Sequence, residues 1–454
     1  MRARLSLLYF LQFSVWGCYL TCFGQLLGAG GLGADIAWFY AAIGVVSILT
    51  PWLFGRLADT TGSPEKLLGT CHLIAAFLMF VMWQYARSHA QLEFSIFYPL
   101  YIGFLAFYMP TMALANTTSF GLLAKAGKDT VKSFPAIRIW GTVGFVGAMW
   151  FVNSAYWQEG HLGFAFNDDS TVSHLRFQYN AMQLFCSGIV GIVVGLYSLS
   201  LPKLTPRVES EPSQSSVRGE ASKYSNTLLQ SLSVMFSSNR RLVFLIFVVF
   251  SGVCMQISNG FVTPFINHFM GIEAYARSLA SGNATMLFSL SQISEAATVL
   301  LVGVLLPRIG IRWVYALGLL AWSLRFLFLG FGNPGDGLWL LIGSMIVYGI
   351  AFNFITIAGH LHIQRVAPEG MKGFAQGLMM FMSNGIGATC GTLIAGKVIN
   401  HWCEWKMIPA GGGGSMMRLF MGEWVAPWVI FATYAAVVGI LWMICYTVVL
   451  KRNK

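Results

Sequence analysis

The sequence predicts an all-α polytopic membrane protein of twelve transmembrane helices, arranged as two pseudo-symmetric six-helix bundles. Three observations carry this. Of 454 residues, 56% are hydrophobic and only 10% charged, against about 25% charged in a soluble domain. Apolar runs of roughly 20 residues recur along the chain, long enough to cross a hydrocarbon core of ~30 Å as helices. The longest polar stretch falls near the middle and divides the runs evenly.

The first run, 5–27, follows Met-Arg-Ala-Arg and is too long for a signal-peptide core, so it reads as a retained span. Spans two to six are predicted at 37–55, 67–86, 94–116, 134–156 and 178–200. Residues 201–241 contain Pro-Lys-Leu-Thr-Pro and a Ser/Glu-rich stretch from Glu209 to Ser225, the composition of a mobile linker. Residues 226–236 are expected to form a short surface helix. Spans seven to twelve follow at 242–265, 282–306, 313–331, 338–359, 373–396 and 425–450. The expected units are thus an N-terminal bundle over 1–200, a linker over 201–241 and a C-terminal bundle over 242–454. Two segments on the other face, 157–177 and 397–424, the second with the run Gly411 to Ser415, read as flexible and solvent-exposed.

The formal charge of +11 reflects topology, with no nucleic-acid motif beside it. With the N-terminus in the cytoplasm, most Lys and Arg, such as Lys203, Arg240, Arg308 and Lys451, fall inside. Only Arg87, Arg176, Arg277, Lys397, Lys406 and Arg418 fall outside. That asymmetry places both termini in the cytoplasm and the positive face against anionic lipid. The eight cysteines form no C-x-x-C pair and read as packing residues. His360 and His362 read as interfacial. No nucleophile–base or metal constellation is present, so neither an enzyme nor a cofactor is expected.

The halves repeat a spacing. Gly55-Arg-Leu-Ala-Asp59-Thr-Thr-Gly62 follows span two, and Gly303-Val-Leu-Leu-Pro307-Arg-Ile-Gly310 ends span eight. Two helix ends capped by glycine would give the same spacing, but its recurrence at one topological position favours a duplicated bundle, the plan of carriers that rock about a midplane site. The first loop also resembles the signature of the major facilitator superfamily. Gly55, Leu57, Ala58, Asp59 and Gly62 match it, and Thr60 replaces the usual basic residue. The resemblance implies a loop that latches the inner side.

Glu295 stands in an apolar stretch from Gly282 to Leu306 with no basic residue inside it. A carboxylate at bilayer depth costs roughly 3 kcal/mol on insertion scales and persists where it faces a bundle interior or a wet cavity. Gln292, three residues earlier, shares its helical face. Gln256 and Asn259 repeat that spacing in span seven, while Arg138, Thr142 and Phe145 share a face of span five. Donors, acceptors and an aromatic plate together suit a neutral, hydroxyl-rich, ring-bearing solute. Each has a blander reading. Thr142, Gln256 and Asn259 also serve as interhelical glue, Arg138 as a snorkelling charge, and Phe145 as core. Arg325 is expected to pair with a neighbour or reach the outer interface.

The chain resembles the bacterial nucleoside:proton symporters of the major facilitator superfamily. The likeness rests on Phe10-Leu-Gln-Phe with Trp16-Gly17, Tyr108-Met-Pro-Thr with Asn116-Thr117, and Ile137-Arg-Ile-Trp-Gly-Thr142-Val-Gly-Phe145. It continues through Gln256-Ile-Ser-Asn259, Ser291-Gln-Ile-Ser-Glu295, Leu324-Arg325-Phe, Ser344-Met-Ile-Val-Tyr-Gly and Ala375-Gln-Gly with Asn384-Gly. It implies that Arg138, Thr142, Phe145, Gln256, Asn259, Gln292 and Glu295 contact a nucleoside, with Phe352 as an added wall. It also implies proton-coupled uptake at a bacterial inner membrane, with nucleoside and protons as partners; apolar helical surfaces face lipid in any case and do not imply dimers, so a monomer is expected. One departure stands out: Asn353 replaces an Asp usual in the family and cannot release a proton, so either Glu295 is the leading proton carrier or coupling is altered or lost. A sugar or oligosaccharide carrier of the same fold, or a receptor that binds without transport, remains as an alternative.

Overall fold

A computed structural model describes residues 1–61, 63–166, 172–204, 228–368, 371–409 and 416–452. Span one is broken into Arg2–Gly17 and Phe23–Ala29. Span two is Ile36–Thr61. Span three, Pro64–Ser88, opens on a proline whose fixed φ suits a first helical turn. Span four, Phe94–Lys125, contains Pro99 and Pro110. Spans five and six are Thr130–Ser154 and Met182–Leu199. The surface helix is present as Leu228–Phe236, followed by span seven, Asn239–His268. Spans eight and nine run together as Ala284–Phe331 and break at Gly310, whose φ of 73° and ψ of 166° only glycine adopts readily. Span ten is Leu338–Val366. Span eleven is Lys372–Met380, a π-turn over Phe381–Gly387, and Ala388–Trp402. Span twelve is Val425–Arg452.

Nine of these helices are, among the described residues, long and apolar enough to cross a membrane. One of the nine is the joined pair eight and nine, and spans one and two complete the twelve. The halves pack alike. Spans one and five pair, as do two with four and three with six; in the second half seven pairs with eleven, eight with ten and nine with twelve. The two bundles meet along spans two and eleven and along spans five and eight. At the first seam Gly44 lies so close to the Asn384 carbonyl that a Cβ would sit 2.3 Å from it. Any side chain there would force the halves apart.

Two expectations need correction. The segments read as flexible outer loops are partly ordered β-hairpins. Ala155–Gln158 pairs with His161–Phe164, and Cys403–Pro409 with Met416–Gly422. The second hairpin has an apolar anchor: Trp405 stacks on Phe420 at 4.9 Å and packs against Gly28 and Gly33. Gln25 fastens it further by donating to the Arg418 carbonyl at 2.8 Å. Arg176, expected as an exposed outer charge, is fully buried together with Phe177 and Gln178. The run 411–415, the linker stretch 205–227 and Gly62 lie outside the described residues, as does the side chain of Asp59. The backbone of Gly55 and Asp59 is helical, since span two continues past its expected end to Thr61.

Candidate functional site

Between the halves lies a cavity of about 280 Å³, at the small end of the size range of small-molecule sites. All eight predicted contact residues line it: Arg138, Thr142 and Phe145 from one bundle, and Gln256, Asn259, Gln292, Glu295 and Phe352 from the other. Their shared location follows from helical periodicity, because i, i+3, i+4 and i+7 positions turn one face to the seam.

Arg138 does not snorkel. Its guanidinium lies 4.0 Å over the Phe13 ring and attracts the Glu295 carboxylate across the cavity. Phe13 thereby orients the cation through its ring face. Asn259 donates to the Gln256 Oε1 at 2.7 Å, which leaves each amide its remaining groups to offer inward. Glu295 is the one acid among the described lining residues, and its carboxylate makes no ion pair within 4 Å among the described residues.

Asn353 is not in the lining. It is wholly buried, and its amide donates to the Glu295 carbonyl at 2.7 Å and the Thr298 hydroxyl at 2.8 Å. It ties span ten to the turn that carries Glu295. Arg325 neither pairs with an acid among the described residues nor reaches an interface; it is wholly buried in the second bundle.

Sequence reasoning missed Trp16, Met109, Tyr348 and Asn384 as lining residues. Tyr348 stacks on Phe352 with ring centroids 5.7 Å apart, a spacing of four that a helical face would have indicated. Asn384 sits in the π-turn of span eleven, a local widening found often at functional sites, and nothing in its sequence marks that turn. Among the described residues no group of three or more His, Cys, Asp or Glu is placed to hold a metal. The eight cysteines are free thiols.

Every described hydrogen bond between the halves lies toward the side that carries the hairpins. Trp150 donates to Ser289 at 2.7 Å, and Asn153 and Arg176 donate to the Asn283 Oδ1 at 2.6 and 3.1 Å. Gln178 and Tyr179 both reach the Gly282 carbonyl at 3.0 Å. The cavity is therefore sealed on the hairpin side.

Twelve spans in two like bundles, closed on one side over a central polar cavity, define a secondary membrane transporter with the major facilitator fold. The family model described as "Nucleoside H+ symporter" matches residues 1–449, and the chain belongs to that family. It is 31% identical over 441 residues to the xanthosine permease of Escherichia coli K12, covering 96% of this chain and 94% of the relative. It is also 31% identical over 446 residues to the nucleoside permease NupG of the same organism, covering 98% and 95%. A crystal structure of NupG superposes with a TM-score of 0.78 at 30% identity, covering 98% of both chains. The protein is a proton-coupled nucleoside transporter and not an enzyme.

Proposed function

We propose that the central cavity is the nucleoside site and that Glu295 carries the coupling proton. The observation behind this is one lone carboxylate facing Arg138 in a cavity lined by amides, a hydroxyl and aromatic rings from both halves. Arg138, Thr142, Gln256, Asn259 and Gln292 supply donors and acceptors for ribose and base edges, while Phe145 and Phe352 supply ring faces. Protonated Glu295 is neutral and offers a donor; ionised, it competes for Arg138. Asn353 cannot titrate, so the proton is assigned to Glu295.

Positive charge on the terminal side supports cytoplasmic termini and an outward hairpin side, in a bacterial inner membrane. The sealed side is then the outer one. Nucleoside and proton enter from outside, the bundles 1–200 and 242–454 rock about the site, and both leave inside, with 201–241 as the tether. The transporter acts as a monomer, its apolar surface facing lipid. Only different affinities of the two states for the loaded site can drive that exchange. One proton moving down ~100 mV supplies about 2.3 kcal/mol, enough for nearly fiftyfold accumulation.

The test is uptake of radiolabelled uridine and adenosine into cells, with and without a protonophore, beside Glu295→Gln. Uptake abolished by both treatments supports the reading. Accumulation that survives a protonophore sinks proton coupling. No uptake of either nucleoside by folded, membrane-inserted protein, with uptake of a sugar instead, replaces the substrate class.

A further inference from the structure

Arg325 stands on span nine, outside the cavity lining and wholly buried. A buried cation without an acid beside it is expensive, and an apolar side chain of similar size would pack at lower cost. Its contacts show what the guanidinium adds. Nε donates to the Ser258 hydroxyl at 3.1 Å, and Nη1 donates to the Ser291 hydroxyl at 3.2 Å and the Ser344 carbonyl at 2.7 Å. Ser258 directly precedes Asn259, Ser291 directly precedes Gln292, and Ser344 lies one turn before Tyr348. One rigid fork therefore sets the heights of spans seven, eight and ten at the residues that line the cavity.

The same guanidinium lies 4.5 Å from the centroid of the Tyr348 ring, on which Phe352 stacks at 5.7 Å with the planes 24° apart. Trp322 meets Tyr348 edge-on at 5.7 Å and fixes its tilt. Cation, phenol and phenyl form a layered support behind one wall of the cavity. Tyr348 and Gln292 both line the cavity. A cation against the ring draws electron density from it, so the phenol becomes a stronger hydrogen-bond donor.

We infer that Arg325 is a positioning residue for substrate binding, acting through Tyr348, which it orients and polarises to donate to an acceptor oxygen of the bound nucleoside. This rests on the cavity being the nucleoside site.

The experiment is a double-mutant cycle on the purified full-length chain. It measures binding of radiolabelled uridine to wild type, Arg325→Lys, Arg325→Met, Tyr348→Phe and the two combinations. Thermal unfolding of each variant serves as the folding control. Losing the cation–π contact and the strengthened hydrogen bond is expected to weaken binding about tenfold in Arg325→Met. Arg325→Lys, which keeps the charge but not the fork, should fall between. In the Tyr348→Phe background the Arg325→Met penalty should shrink below about twofold, because coupled neighbours do not add. Equal penalties in both backgrounds would mean that Arg325 only holds the bundle together, and would overturn the inference. If Arg325→Met does not fold, the Arg325→Lys cycle decides by the same criterion. Absence of binding in wild type, for uridine and for radiolabelled adenosine measured beside it, would instead overturn the nucleoside reading of the cavity, and this inference with it. A bound wild type with an additive cycle would overturn this inference alone.

Discussion

Glu295 draws its meaning from its setting, an acid without an ion-pair partner among the described residues, in an apolar span turned to a cavity where Arg138 lies opposite. Replacing it by Gln keeps the shape and removes the proton. Glu295→Gln is expected to retain uridine exchange across vesicles while losing net accumulation by at least about tenfold, most of what ~100 mV can supply. Counterflow and accumulation measured on the same vesicles separate the two; equal loss of both would mean that the acid serves binding instead. Asn353 makes a different argument. Its amide bonds the Glu295 carbonyl and the Thr298 hydroxyl, so Asn353→Ala removes two hydrogen bonds between spans ten and eight and is expected to cost about 1–3 kcal/mol of stability. Thermal unfolding in detergent checks this; an unchanged midpoint would show the contact to be dispensable. The face of Arg138, Thr142 and Phe145 was legible because helical spacing alone puts such residues together. Tyr348 was legible only through its spacing of four from Phe352, since a tyrosine in an apolar run otherwise reads as packing. Arg325 was misjudged for a related reason: a sequence gives the depth of a charge in a span but not the direction in which it turns.

At the scale of elements, hydropathy located every span because each must bury its own backbone bonds in lipid. It gave no sign of the break in span one after Gly17 or of the π-turn at Phe381–Gly387, since both conserve composition and alter only local hydrogen bonding. The hairpins escaped for another reason. Gly160 and Glu159 adopt the positive φ of a tight turn, but Glu-Gly is a weak turn signal beside Asn-Gly. What orders the second hairpin is the tertiary fit of Trp405 against span one. Cys403 at its base reports on that fit. It is 4% exposed, and burial, with Glu423 nearby, pushes its thiol up to about 12. The folded thiol thus stays protonated where an unfolded one ionises, so its contribution is present below the ordinary thiol range and is lost as pH rises toward 12. Maleimide labelling of Cys403 at neutral pH should be slow in the native protein. Trp405→Ala is expected to speed it by at least about tenfold, as a lost aromatic anchor of ~1.4 kcal/mol or more would. Identical rates, followed by peptide mass analysis, would mean the hairpin is held elsewhere.

For the whole molecule, alternating access requires the sealed side to open, and the price is set by the bonds that close it. Asn283 is the point where three of them converge. It accepts from Asn153 and Arg176 and donates to the Phe166 carbonyl at 2.9 Å, while the carbonyl of its neighbour Gly282 receives Gln178 and Tyr179. These bonds exist only while the halves touch, so they stabilise one state and not the other, which is the condition for biasing a conformational equilibrium. Asn283→Ala removes the hub and leaves Arg176 buried without it, a loss of about 1–3 kcal/mol from the sealed state, or roughly five- to 150-fold in the ratio of states. The Gly44 contact with Asn384 survives that change, so the halves keep their pivot while the seal weakens. Spin labels at Ser88 and Asp336, exposed residues on the hairpin side of the two halves, report the separation directly. Wild type should give mainly the short distance, and Asn283→Ala should shift the population to a longer one. Uridine exchange should persist, because the lining is untouched. A distance distribution that does not move would show that the seal depends on the apolar contacts between spans two and eleven, with the polar cluster only filling the space above them.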